Sequence, residues 1–335
     1  MNYPIGIQDF ASIINDGFVY VDKTNMVYEL TKDKGVYFLS RPRRFGKSLL
    51  VSTIKYYFEG RHDLFKGLKI ESLEKKWETY PVFEIDFNGS NYTEADALEQ
   101  TLNGYLVKWE QQYGVKPATD QPGRRLADVL HQAHVQTGKT CVVLVDEYDK
   151  PMLDAMDTGL KTRVGDNEML IEDHNRETLK AFYSVFKLAD ADLRFVFLTG
   201  VTKFAQVSVF SGFNNAQDIS MNPRFDTICG ISREELNNVF ASSIEELANT
   251  NMLSVEEAKS QLQQRYDGYH FSNGMTDIYN PFSLLNAFAD DNIRDYWFAS
   301  GTPSYLMRLL AHSKEDIQGI IARSYEAQEF VDYRA

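Results

Sequence analysis

Residues 36–60, VYFLSRPRRFGKSLLVSTIKYYFEG, constrain this 335-residue chain more than any other stretch. The apolar run 36-VYFL-39 reads as a short strand. It enters an arginine-rich loop that ends in Gly46-Lys47-Ser48. From Lys47 onward, Leu50, Ile54 and Phe58 recur at helical spacing until Gly60 stops the pattern. A strand that turns through a glycine into a helix beginning Lys-Ser is the setting a phosphate-binding loop requires. In G-x-x-x-x-G-K-[ST], however, the first glycine would fall at position 41. This chain has Arg41 there, with Arg43 and Arg44 close behind.

The rest of the first 225 residues alternates strands with helices. The run 82-VFEIDF-87 reads as a strand, and helical patterns span about Glu94 to Tyr113 and Pro122 to Thr137. The apolar start of 140-TCVVLVDEYDKP-151 marks a strand buried on both faces, ending in Asp146-Glu147. A helix follows over about Glu172 to Ala189, then the apolar strand 194-RFVFLTG-200, and a short strand is expected near Asp218 to Met221. This order implies a mostly parallel α/β sheet with helices on both faces. Ligands of such sheets gather at the carboxyl ends of the strands, where the loop at 40–48, the acidic pair and Thr199 should meet.

Beyond about Ile231 the character is mainly helical. Ser232 with Glu235, and Ser254 with Glu257, have capping-box spacing, and Pro281 and Pro303 sit near helix starts. The turn-rich piece 266-YDGYHFSNG-274 interrupts this region. Two units are therefore expected, an α/β unit over 1–230 and a mainly helical one over 231–335.

The predicted strand ends carry a chemistry. Lys47 supplies a point charge for β- and γ-phosphates, and the N–H groups of residues about 44 to 48 cradle the anion at the helix N-terminus. The Ser48 hydroxyl and the Asp146 carboxylate are the expected magnesium contacts. Glu147 orients and deprotonates the attacking water, and Thr199 is a polar sensor beside the γ-phosphate. Arg43, Arg44, Phe45, Gly46, Lys47, Ser48 and Leu49 form the expected nucleotide-binding stretch, with ATP and Mg2+ as ligands. Phosphate contact is expected of Arg41, Arg43 and Arg44. The bland alternatives are an ordinary helix start at Gly46 and solvated carboxylates at 146–149.

Composition narrows the class. The net charge of −13 gives no support for a long nucleic-acid surface. Cys141 and Cys229, far apart in apolar runs, read as reduced core thiols, and the six histidines lack metal-ligand spacing. With no signal region and no apolar run near 18 residues, a cytoplasmic protein is expected.

On these residues the chain resembles the bacterial AAA-ATPase-like family of P-loop proteins, many of them joined to a C-terminal PD-(D/E)xK nuclease-like domain. The resemblance rests on 20-YVDKT-24, 39-LSRPRRFGKSLL-50, 142-VVLVDEYDKP-151, 198-LTGVTKF-204, 266-YDGYHF-271, 279-YNPFSLL-285 and 297-WFASGTPSYL-306. It implies a five-stranded AAA-like sheet of order 5-1-4-3-2, with 36–39, 82–87, 141–145 and 195–199 as its first four strands. It also implies a sensor segment at 198–204, with Thr199 and Thr202 as candidates, and a lid-like helical unit from about 231. The family's RPRRFGKS loop carries arginine where the first glycine usually stands. No Asp followed by a Glu-x-Lys strand pair reads as a metal-dependent nuclease site here, and 323-RSYEAQEFVDYRA-335 reads as a charged helix. No nuclease site is therefore expected within these residues, and the family's nuclease-like domain is expected to be absent from them.

The first reading is an ATP-binding, Mg-dependent ATPase that acts as a nucleotide-driven switch, regulating a fused or partner nuclease. The second is a nucleotide-sensing interaction module with little turnover. The third, a DNA-binding module, leans on 41-RPRR-44. Segment 5-IGIQDF-10 is the expected adenine contact.

Overall fold

The computed structural model describes residues 1–202 and 216–296. Nine strands are defined among these: β1 (Gly35–Ser40), β2 (Val82–Asp86), β3 (Cys141–Asp146), β4 (Lys161–Val164), β5 (Asn167–Leu170), β6 (Leu193–Gly200), β7 (Ala216–Asp218), β8 (Ile231–Ser232) and β9 (Ile278–Tyr279).

Five of them form one sheet in the order β2-β3-β6-β1-β7, and every neighbouring pair is parallel. Parallel neighbours need crossovers, and helices Lys47–Phe58, Ala97–Tyr113, Pro122–Thr137 and Ile171–Tyr183 supply the long ones. The fold class expected from the sequence is therefore present. The numbering of the order differs because a two-stranded antiparallel hairpin, β4–β5, intervenes before the fourth sheet strand. The edge strand lies at Ala216–Asp218, two residues earlier than expected at its start.

The period of two in β3 explains the double-sided core. Val143 and Val145 face one layer together with Phe38, Ile85, Val196 and Leu198, against helices 97–113, 122–137 and 171–183. Val142 and Leu144 face the other with Tyr37, Leu39, Phe195 and Phe197, against Leu50, Val51, Ile54 and Phe58 of helix 47–58. All six residues of β3 are buried, each apolar side chain contributing about 1.5–3 kcal/mol. The strand cannot slip by one residue without turning Asp146 into the core.

A third cluster joins the C-terminal helices Arg233–Val239, Ala241–Thr250, Val255–Tyr266 and Pro281–Ala289 through Leu236, Phe240, Leu247, Leu262 and Leu284. Both expected capping boxes are present, at Ser232/Glu235 and Ser254/Glu257, and Pro281 opens its helix. The N-terminal segment lies against these helices. Tyr3, Val19 and Val21 pack on the cluster, Tyr3 Oη donates to Ser243 Oγ at 2.8 Å, and Lys23 Nζ meets Glu235 at 2.5 Å. The expectations at Pro303, 297–306 and 323–335 lie outside the described residues, as does the end of segment 198–204. No helix among the described residues is long and apolar enough to cross a membrane.

Candidate functional site

The register brings the strand ends together. Asp86 of β2 aligns with Asp146 of β3, and Leu39 and Ser40 of β1 align with Thr199 and Gly200 of β6. The loop Arg41–Gly46 leaves this edge and enters helix 47–58 through Gly46, at φ +90°. That left-handed conformation is one glycine adopts without a steric penalty. Lys47 is the first helical residue, so the unpaired N–H groups of the helix start face the same edge.

Four of the expected site residues are brought together. Buried Lys47 donates through Nζ to the carbonyls of Arg41 (3.2 Å) and Pro42 (3.4 Å), and it pairs with Glu147 Oε1 at 3.3 Å. Asp146 accepts the Thr199 hydroxyl and, at 3.1 Å, the Glu147 N–H. Glu147 holds a left-handed φ of +52°, a conformation that costs a non-glycine residue about 1–3 kcal/mol and persists where the surroundings enforce it. Burial pushes its carboxyl up. The Lys47 ammonium pulls it back down, while Asp149 and Asp146 raise it further.

The arginines divide. Arg43 is exposed at the loop tip. Arg44, at φ +69°, lays its guanidinium over the Phe282 ring at 3.9 Å. Arg41 overturns the expectation of phosphate contact. It is 1% exposed and donates to the carbonyls of Ser40, Ser220 and Phe225 at 2.7–3.1 Å, while stacking 3.9 Å over Phe271. Burial lowers its pKa to about 10, so it stays cationic at neutral pH. The residue in place of the first glycine is thus an internal bracket, and the run 41–44 does not form a continuous basic face. Phe45 is likewise buried, edge-on to Tyr269 and Phe271, and its carbonyl accepts the Gly230 N–H at 3.0 Å.

Ser48 and Leu49 are half-buried at the helix start. Leu49 and Gly46 line a cleft whose other walls include Pro4, Tyr20, Lys23 and Gly230. Residues 5–10, expected to contact a base, do not line it; Pro4 does. Sequence reasoning missed Lys23, although 20-YVDKT-24 contains it, and missed Asp149 in DEYD. Asp149 is fully buried and accepts from Val201 N, Thr202 N and Thr202 Oγ1 at 2.8–2.9 Å.

For a divalent cation the donor set fits. Asp146 has no cationic partner among the described residues, and Ser48 stands at the start of the neighbouring helix. Among the described residues, no cluster of three or more His, Cys, Asp or Glu side chains could hold a metal alone. That suits magnesium, which takes one or two protein oxygens and completes its shell with phosphate and water.

A parallel sheet of this order, with Gly-Lys-Ser between β1 and its helix and Asp-Glu at the end of a buried strand, defines a nucleotide-binding protein of the P-loop class. The chain belongs to the family described as Predicted AAA-ATPase, which matches residues 4–210. It is also 38% identical over 312 residues to an "Uncharacterized protein in vnfD 5'region" of Azotobacter chroococcum mcd 1. That match covers 93% of this chain and 56% of the relative. The chain thus spans little more than half the length of that relative.

Proposed function

We propose that the chain binds MgATP at this site and hydrolyses it to ADP and phosphate. The observation that supports this reading best is the meeting of Lys47, Asp146, Glu147 and Thr199 at one strand edge, linked by direct contacts. Lys47 leaves its carbonyl and carboxylate partners to meet the β- and γ-phosphates, and the N–H groups at the start of helix 47–58 hold the anion. Ser48 and Asp146 hold the magnesium ion, which supplies charge neutralisation at the phosphates when bound. A water oxygen attacks the γ-phosphorus, its proton passes to Glu147, and the bond to the β–γ bridging oxygen breaks, releasing ADP. The Thr199 hydroxyl fixes Asp146 in its rotamer. The cleft beside Gly46 and Leu49 takes the nucleoside, between the N-terminal segment and the C-terminal helices.

Hydrolysis acts as a switch on the C-terminal helices in this reading, because the phosphate loop touches them directly through Arg44 on Phe282. These helices serve as the lid-like unit from about residue 231, and a fused or partner nuclease is the proposed target of the switch. One observation favours the second reading, a sensor with little turnover: the Lys47–Glu147 pair occupies both groups at once.

The test is MgATP binding and phosphate release by the chain, with and without EDTA, beside Lys47→Ala. Tight binding that Lys47→Ala loses, with EDTA-sensitive release, supports the ATPase. Binding without release selects the sensor. Absence of binding removes both.

A further inference from the structure

We propose that Asp149 is a positioning residue for this hydrolysis, strapping the loop that carries Glu147 to the end of the strand that carries Thr199. The inference rests on the ATPase reading above. Asp149 is fully buried. One carboxylate oxygen, Oδ2, takes hydrogen bonds from Val201 N (2.9 Å), Thr202 N (2.8 Å) and Thr202 Oγ1 (2.9 Å), the first residues beyond β6. Oδ1 has no hydrogen-bond partner among the described residues. A buried carboxylate that uses one oxygen for three donors to a neighbouring loop is bound by geometry as well as charge.

Two further bonds run the same way. Tyr148 N donates to Thr199 O at 2.9 Å and Tyr148 Oη to Thr202 O at 3.0 Å. Gly200 permits the approach, since a Cβ there would fall on the Tyr148 ring and 2.8 Å from Asp149 Oδ1. Residues 148 and 149 are therefore fastened to the end of β6, and Glu147 is the one residue between the strap and Asp146. Its left-handed φ of +52° is the conformation this fastening enforces. Released, Glu147 would relax toward ordinary backbone angles and carry its carboxylate away from the attacking water. The hydrogen bonds of the Asp149 carboxylate go to residues 201 and 202, and it acts through Glu147.

The experiment is a comparison of wild type, Asp149→Ala and Asp149→Asn in MgATP binding, steady-state turnover and thermal melting. Asp149→Ala is expected to lower kcat at least about 10-fold, as displaced catalytic groups do, with the Kd for MgATP within about twofold of wild type. Asp149→Asn, which keeps an acceptor oxygen for the same donors, is expected to restore most of the rate. A purely structural residue would lower the melting temperature and weaken binding and turnover together, and that pattern overturns the proposal. So does an Asp149→Ala protein that keeps wild-type kcat. If Asp149→Ala does not fold, Thr202→Val removes one of the three donors and leaves the carboxylate in place. A smaller fall in kcat at constant Kd then supports the strap, and an unchanged kcat overturns it. Wild type that binds MgATP without turnover removes the ATPase reading and this inference with it. Wild type that turns over beside an unaffected Asp149→Ala removes only this inference.

Discussion

At the scale of single residues, Glu147 carries the sharpest expectation. Burial, Asp149 and Asp146 raise its carboxyl pKa against the pull of Lys47. A general base must be ionised, so turnover is full above that raised value and falls as pH drops through it. The acid limb of the kcat/KM–pH profile, which reports the free protein, should therefore lie above the ordinary glutamate value of 4.5; a limb at or below 4.5 would remove Glu147 as the base. Gly200 gives a second test. A Cβ there meets Tyr148 and Asp149, so Gly200→Ala should destabilise by about 1–3 kcal/mol, as overpacking does. Urea unfolding measures this, and a neutral result would mean that the contact relaxes easily. Arg41 shows where a residue-level reading goes wrong. A basic run beside an anion loop is the usual mark of phosphate contact, but burial and four carbonyl acceptors decide its use, and neither is visible in the sequence.

Among the elements, legibility followed periodicity. Strand β3 was readable because a run of Cys, Val and Leu with no polar break can only be buried on both faces. Helix Pro122–Thr137 was readable to its ends from Pro122 and Gly138. The hairpin β4–β5 was missed because its residues are mostly exposed and polar, so no apolar alternation announces it. The candidate site was half legible. Lys47, Asp146 and Glu147 stand in recognisable local patterns, whereas the strap from Asp149 to Thr202 joins residues 53 apart and exists only once β3 and β6 are neighbours. Energetically the sheet should depend most on its central strands. Leu144→Ala, at a fully buried position of β3, is expected to cost about 2–5 kcal/mol in denaturant unfolding. Ser254→Ala, which breaks a capping box on a surface helix, should cost only about 1 kcal/mol. The reverse ranking would place the core elsewhere.

In the whole molecule, the cleft proposed for the nucleoside lies where the N-terminal segment, helix 47–58 and the C-terminal helices meet. The pair Lys23–Glu235, at 2.5 Å and largely buried, fastens the first of these to the last. Removing one member leaves the other charge buried without its partner, so Lys23→Ala should destabilise by about 3–5 kcal/mol. Because Lys23 also lines the cleft, MgATP affinity should fall in the same variant, read by equilibrium binding; undiminished affinity would separate the cleft from the nucleotide. Arg41, Arg44 and Phe45 reach Phe271, Phe282 and Tyr269, so the phosphate loop and the C-terminal residues share side-chain contacts. The central claim is that MgATP is hydrolysed with Glu147 as base. Its most direct test is phosphate release at saturating MgATP by wild type and Glu147→Gln, with bound nucleotide quantified in both. Equal binding and a rate in Glu147→Gln lower by about 100-fold or more are expected. Equal rates in the two proteins would contradict it.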